Sequence, residues 1–190
     1  MISPFEYVTV LISIILGLGI TQILTGIADL IHKSERVTAY WPHLIWILFV
    51  LLLHIQEWWL LYELKGYQPW RLPTFLFVIA YPINLFVLAR MLFPFALKGK
   101  VIDLKLFYFT NWRKIFSIFT LSAMLSIAFN IFILEFGLDT QILQTLLALT
   151  FLFISIQRVE REWIHKSLAV IVFTIFIVSI IIEWDVWLIE

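Results

Sequence analysis

The run WPHLIWILFVLLLHIQEWWLLYEL, Trp41 to Leu64, decides the architecture of this 190-residue chain. Its centre, Leu44 to Leu53, is apolar without interruption. At about 1.5 Å per helical residue the run crosses a hydrocarbon core of roughly 30 Å, and it is too long for an ordinary strand. In lipid every backbone N–H and C=O must be paired within the protein, which admits only helices and closed barrels. The alternating apolar/polar pattern of a barrel strand is absent from the run, so it reads as a membrane-spanning helix.

Five further runs resemble it. The six expected spans are 5–31, 41–64, 73–95, 114–136, 138–157 and 166–187. Composition agrees: 63% of residues are hydrophobic and 14% charged, with a mean hydropathy of +1.01, against roughly 45–50% and about 25% in soluble domains. A water-soluble fold is excluded. The expected fold class is an all-α integral membrane protein, a bundle of six transmembrane helices forming a single membrane domain over residues 1–190. The longest connection, 96–113, is too short for a soluble domain. Its part from Asp103 to Arg113 mixes Lys105 with Leu106, Phe107, Tyr108 and Phe109, as suits a short amphipathic segment lying in the interface between helices three and four. The residues before the first run include no base, and no small-residue cleavage site follows it, so a permanent helix is expected there rather than a removable signal. The absence of Cys excludes disulfides, thiol chemistry and thiolate metal sites. No internal repeat is evident.

The formal net charge is zero, which gives no reason to expect a nucleic-acid partner. The zero conceals a strong asymmetry. Lys33, Arg36, Arg90, Lys98, Lys100, Lys105, Arg113, Lys114, Arg158, Arg161 and Lys166, eleven of the 13 bases, fall in or beside the odd-numbered loops, and only Lys65 and Arg71 fall at the other end. Because Lys and Arg in short loops are retained on the cytoplasmic side, both termini are expected outside, in the cytoplasmic membrane if the protein is bacterial. Tryptophan fits two interfacial belts, with Trp41, Trp112 and Trp163 at the inner boundary and Trp58, Trp59, Trp70, Trp184 and Trp187 near the outer one.

Polar side chains inside the spans are the natural candidates for function, since burying them in hydrocarbon is costly unless they meet a partner or a cavity. His54 and Glu57 lie three residues apart, in the outer half of helix two. Ser13, Tyr81, Asn130, Gln144 and Ser179 project to similar depths on the other five helices, and together these residues would line an outward-facing polar vestibule. Asn84, two residues after Pro82 near mid-depth, marks either a broken-helix binding site or a proline kink whose amide bonds a neighbouring helix. The candidate ligand- or ion-binding set is therefore His54, Glu57, Asn84, Tyr81, Ser13 and Asn130. Gly17, Thr21 and Thr25 on helix one, and Ser122 and Ser126 on helix four, have the spacing of helix-packing stripes and make those two helices a plausible contact pair. Arg90 has Asp29 and Gln22 within reach but is expected to snorkel to the headgroups. His32, His43 and His165 share the inner boundary, but nothing in the sequence brings their helices together, so no metal is expected.

No H-E-x-x-H, phosphate-binding glycine loop or G-x-S-x-G elbow occurs, which speaks against the common enzyme classes and leaves a lipid-directed enzyme as a third-ranked option without a motif. No cofactor is expected. The leading expectation is a small channel or transporter-like protein handling an ion or small polar solute through the vestibule. Its rival is a non-catalytic subunit, sensor or effector that docks a cytoplasmic protein or anionic lipid through Lys98, Lys100, Lys105, Arg113 and Lys114. Besides the lipid bilayer, either role implies a homo-oligomer or a membrane complex.

Overall fold

The computed structural model describes residues 3–94 and 101–182 and is 84% helical. Six helices follow one another: α1 (Pro4–His32), α2 (Trp41–Leu60), α3 (Leu72–Met91), α4 (Leu104–Phe132), α5 (Ile142–Ile156) and α6 (Glu162–Ile182). Short 3-10 turns extend α2 over Leu61–Gly66 and lead into α5 over Leu138–Gln141. All six helical segments, with mean hydropathy between 1.5 and 2.3, are long and apolar enough to cross a membrane. The expected run 166–187 is helical through Ile182, and its last residues, like Phe95, lie outside the described residues.

Local chemistry sets the helix starts. Ser3 caps α1: its hydroxyl accepts from the Glu6 N–H at 3.1 Å and its own N–H donates to the Glu6 carboxylate at 2.7 Å, with Pro4 in the first turn, where a missing N–H costs nothing. Asp103 caps α4, accepting from the N–H groups of Lys105 and Leu106 at 2.8 and 3.0 Å. That cap changes one expectation. The stretch Asp103 to Arg113 is no separate interfacial segment but the first turns of α4. The reason is its spacing: Leu104, Tyr108, Trp112, Ile115 and Phe119 form one buried stripe at three- and four-residue intervals, which a break near residue 113 would disrupt. Trp112 consequently does not belong to the inner aromatic belt. It is 1% exposed and packs on the His165 and Phe116 rings at 4.8 and 5.7 Å.

At one end of the bundle the connections are knitted together. Val37–Thr38 (β1) pairs in parallel with Ile102–Asp103 (β2), joining the α1–α2 connection to the start of α4. The His43 imidazole near the start of α2 donates to the Leu92 carbonyl just beyond α3, 2.8 Å away. Lys105 of α4 reaches Glu162 of α6 at 2.6 Å, and Lys166 reaches the same carboxylate at 2.9 Å. Successive helices therefore alternate in direction. Every described base except Lys65 and Arg71 belongs to this knitted end.

Helix α2 is the hub, touching α1, α3, α4 and α6; α1 packs chiefly on α3, and α4 chiefly on α5 and α3. The expected pairing of α1 with α4 is thus replaced by α1 with α3 and α4 with α5. The α1 stripe is corrected with it. Thr21 and Thr25 are exposed, and a methyl added at Gly17 would meet no other part of the chain. Close approach instead uses the opposite side of α1, where a Cβ at Gly19 would enter the His54 ring and one at Gly26 the Phe93 ring. Gly26→Val should accordingly destabilise the purified protein by about 1–3 kcal/mol, the usual cost of overpacking, whereas Gly17→Ala should leave it unchanged within about 0.5 kcal/mol, as surface substitutions do. Thermal unfolding in detergent reads both, and equal losses would contradict this packing.

Candidate functional site

Helix α5 leans on α4 and α6 leans on α2, so the space between these four helices and α3 is left unfilled above mid-height. It forms a cavity of about 290 Å³ at the end opposite the knitted loops. Its polar lining comes from five helices: Gln56 and Glu57 of α2, Tyr81 of α3, Ser122, Ser126 and Asn130 of α4, Gln144 of α5 and Ser179 of α6, with Thr140 at the rim. A second recess, between the end of α1 and the start of α2, is lined by aliphatic residues and Ser34 and holds no ionisable group.

The expected vestibule residues divide on this geometry. Glu57, Tyr81, Asn130, Gln144 and Ser179 line one cavity. His54 does not. Its ring is fully buried against Gly19 of α1, and Nδ1–H donates to the Val50 carbonyl one turn back at 2.7 Å. Asn84 is not itself in the cavity lining: α3 runs on past Pro82, and the Asn84 amide donates at 2.6 Å to the hydroxyl of Ser122 of α4, a wall residue that it holds from behind. Ser13 is half-buried on α1 and outside the cavity. Ser122 and Ser126, named for helix packing, also line the cavity, and Ser122 at the same time bonds Asn84 of α3.

Glu57 is the only ionisable carboxylate in the cavity wall. Among the described residues no hydrogen bond or ion pair reaches it. At the rim Asn130 donates to Gln141 at 2.9 Å and Gln141 donates to Thr140 at 2.7 Å, a belt that ties α4 to the turn before α5. The floor is aromatic. Trp46, Phe49, Phe116, Phe119, Phe151 and Phe176 lie with neighbouring ring centroids 5.2–6.4 Å apart, the range of favourable edge and offset contacts. Phe49, Phe119, Phe151 and Phe176 of this layer also line the cavity and form its base.

Below the floor one chain of polar groups is closed, while the Tyr40 hydroxyl, His43 Nδ1 and the Ser155 hydroxyl are buried without a hydrogen-bond partner among the described residues. Tyr108 donates its hydroxyl proton to His165 Nδ1 at 2.9 Å, and His165 Nε2–H donates to the Val159 carbonyl at 2.7 Å, which fixes the neutral tautomer. His43 packs edge-on to Tyr108 from the other side. Beside them Tyr40, just before α2, is 5% exposed, and burial, then the Glu162 carboxylate, pushes its phenol up to about 12. These are groups of a dry, closed end.

The basic residues named as a contact surface are partly engaged. Lys105 is held by Glu162, and Arg113 donates from Nε to the Ser155 carbonyl at the end of α5, 3.2 Å away. Lys114 is exposed, while Lys98 and Lys100 lie outside the described residues. Arg90 does not simply snorkel; its guanidinium donates to Gln22 of α1 at 3.1 Å. Comparison with protein-family models, with curated proteins and with solved structures returns no match, so the reading of the site rests on its own geometry.

The Asn84–Ser122 bond behind the cavity wall can be measured on its own. A double-mutant cycle with Asn84→Ala and Ser122→Ala should give a coupling energy of about 0.6–1.7 kcal/mol, the range of interhelical hydrogen bonds in membranes. Strict additivity of the two losses would contradict the bond.

Proposed function

We propose that this chain is a small integral-membrane transporter or solute-binding protein that admits a small polar solute or an ion to the cavity from the face opposite its basic loops. The observation that carries the reading is the unpartnered Glu57 carboxylate in a cavity whose wall draws polar groups from five helices. An intramembrane carboxylate is costly to retain without a role, and structural use would have given it a partner. The aromatic floor favours a carrier over an open channel, because passage requires the floor to part. With the basic end cytoplasmic, as retention of Lys and Arg implies, the cavity opens outward and both termini lie outside.

A second reading, docking of a cytoplasmic partner or anionic lipid at the basic end, draws on Arg36, Lys114, Arg158 and Arg161, which are exposed. It is the weaker one, since Lys105 and Arg113 already serve the fold. Self-association would use the lipid-facing surface, where Thr21 and Thr25 of α1 are exposed.

The transport reading is tested with proteoliposomes offered, in separate runs, potassium, a small amine and glycerol. Wild type should move at least one of them faster than protein-free vesicles. Glu57→Gln should lower that protein-dependent flux at least tenfold, and Gly17→Ala, whose added methyl meets no other part of the chain, should retain it. No protein-dependent flux of any of the three, or flux indifferent to Glu57→Gln, contradicts the proposal.

A further inference from the structure

The cavity has more than a polar wall; its two ends differ in chemistry, and their separation identifies a ligand class. Resting on the reading of the cavity as a solute site, we infer that it takes a monovalent organic cation with an apolar body, the ammonium group held by Glu57 and the body lying on the phenylalanine floor. Phe49 and Glu57 are eight residues apart on α2, about 12 Å along the axis at 1.5 Å per residue. Phe119 and Ser126 of α4, and Phe151 and Gln144 of α5, each span about 10 Å in the same sense. Three helices thus set a similar interval between an aromatic end and a polar end that carries a single carboxyl group.

Each alternative leaves part of this well unsatisfied. An inorganic cation would find one carboxylate and the neutral oxygens of the wall at the polar end, and would leave the phenylalanine half of the well without a partner. Among the described residues no group of three His, Asp or Glu side chains converges. An anion would meet the Glu57 carboxyl group and find no base in the cavity lining. A neutral polyol can hydrogen-bond the wall but sets its remaining hydroxyls against the apolar floor and brings no charge to the carboxylate. A volume of about 290 Å³ lies at the small end of small-molecule sites, which suits a body of one ring or a short alkyl chain. The remaining ligand satisfies both ends: the ammonium neutralises Glu57, with the Tyr81 hydroxyl in the same wall, and the aromatic faces below favour both apolar contact and positive charge.

Benzyltrimethylammonium is the probe, titrated by calorimetry into the full-length protein in lipid nanodiscs. Tetramethylammonium supplies the charge without the body, benzoate the body with the wrong charge, and sodium and calcium the metal ions. Benzyltrimethylammonium should bind at least tenfold more tightly than tetramethylammonium, benzoate should not bind, and neither metal ion should displace the probe. Glu57→Gln should weaken the probe at least tenfold, and Phe119→Leu severalfold. Should Glu57→Gln fail to fold, Ser126→Phe, which fills the interval between the two ends, should abolish binding instead. The inference is overturned by an undetectable heat with folded wild type at millimolar probe, by equal affinity for tetramethylammonium, by displacement with sodium or calcium, or by binding that survives Glu57→Gln or, if that variant does not fold, Ser126→Phe. Its failure is separable from that of the transport reading. Glu57-dependent flux of potassium or glycerol without probe binding overturns the ligand class and leaves transport standing; probe binding without flux of any solute does the reverse.

Discussion

The aromatic layer around Trp46 is the contact on which the rest of the structure depends. Lipid tails are as apolar as the side chains they would replace, so helices in a bilayer associate through close packing and polar contacts rather than by escape from solvent. Trp46 is fully buried and its ring meets Phe49 of its own helix, Phe116 and Phe119 of α4 and Phe151 of α5, while Phe49 carries the contact on to Phe176 of α6. Four helices are thereby clamped at mid-height. Above the clamp α5 and α6 follow different neighbours, and the gap between them becomes the cavity; below it the Tyr108–His165 bond draws α4 and α6 together.

Closure and charge coincide. The end that carries most of the bases is also the end bound by the β1–β2 pair, by Glu162 between Lys105 and Lys166, and by the Tyr108–His165–Val159 chain. The open end carries the unpartnered acid. A chain of zero net charge is therefore polarised along its axis, with its tight half basic and its hollow half acidic. This division accords with the proposed entry of solute at one end and places the ordered loops at the other.

Much of this was legible in the residues, and what was not has a common physical cause. Hydropathy and length give the six helical segments because a bilayer imposes one dimension on all of them. Depth is equally readable, since rise per residue is constant, and the shared level of Glu57, Tyr81, Asn130, Gln144 and Ser179 emerged from that ruler. Azimuth was not readable. His54 and Glu57 differ by about 60° around α2 on a 3.6-residue turn, and because α2 is the hub, that angle separates the α1 interface from the cavity. Gly17 and Gly19 differ by about 160°, which puts one toward the outside and the other against His54. The interfacial segment failed for another reason: Lys105 and Arg113 gave the stretch a surface character, although their partners Glu162 and Ser155 are distant in sequence.

The central claim, a water-filled well open at the end opposite the basic loops and sealed by the aromatic layer, is tested most directly by thiol accessibility. The natural absence of Cys makes the chain its own background. Single cysteines at Ser126, Gln144 and Ser179 should react, in sealed vesicles of known orientation, with a small membrane-impermeant thiol reagent applied to the face opposite the one that labels a cysteine at Lys114. Cysteines at Ile115 and Ala169, below the layer, should react from neither face. Labelling of the three cavity positions from the Lys114 face, or from neither, would contradict the account.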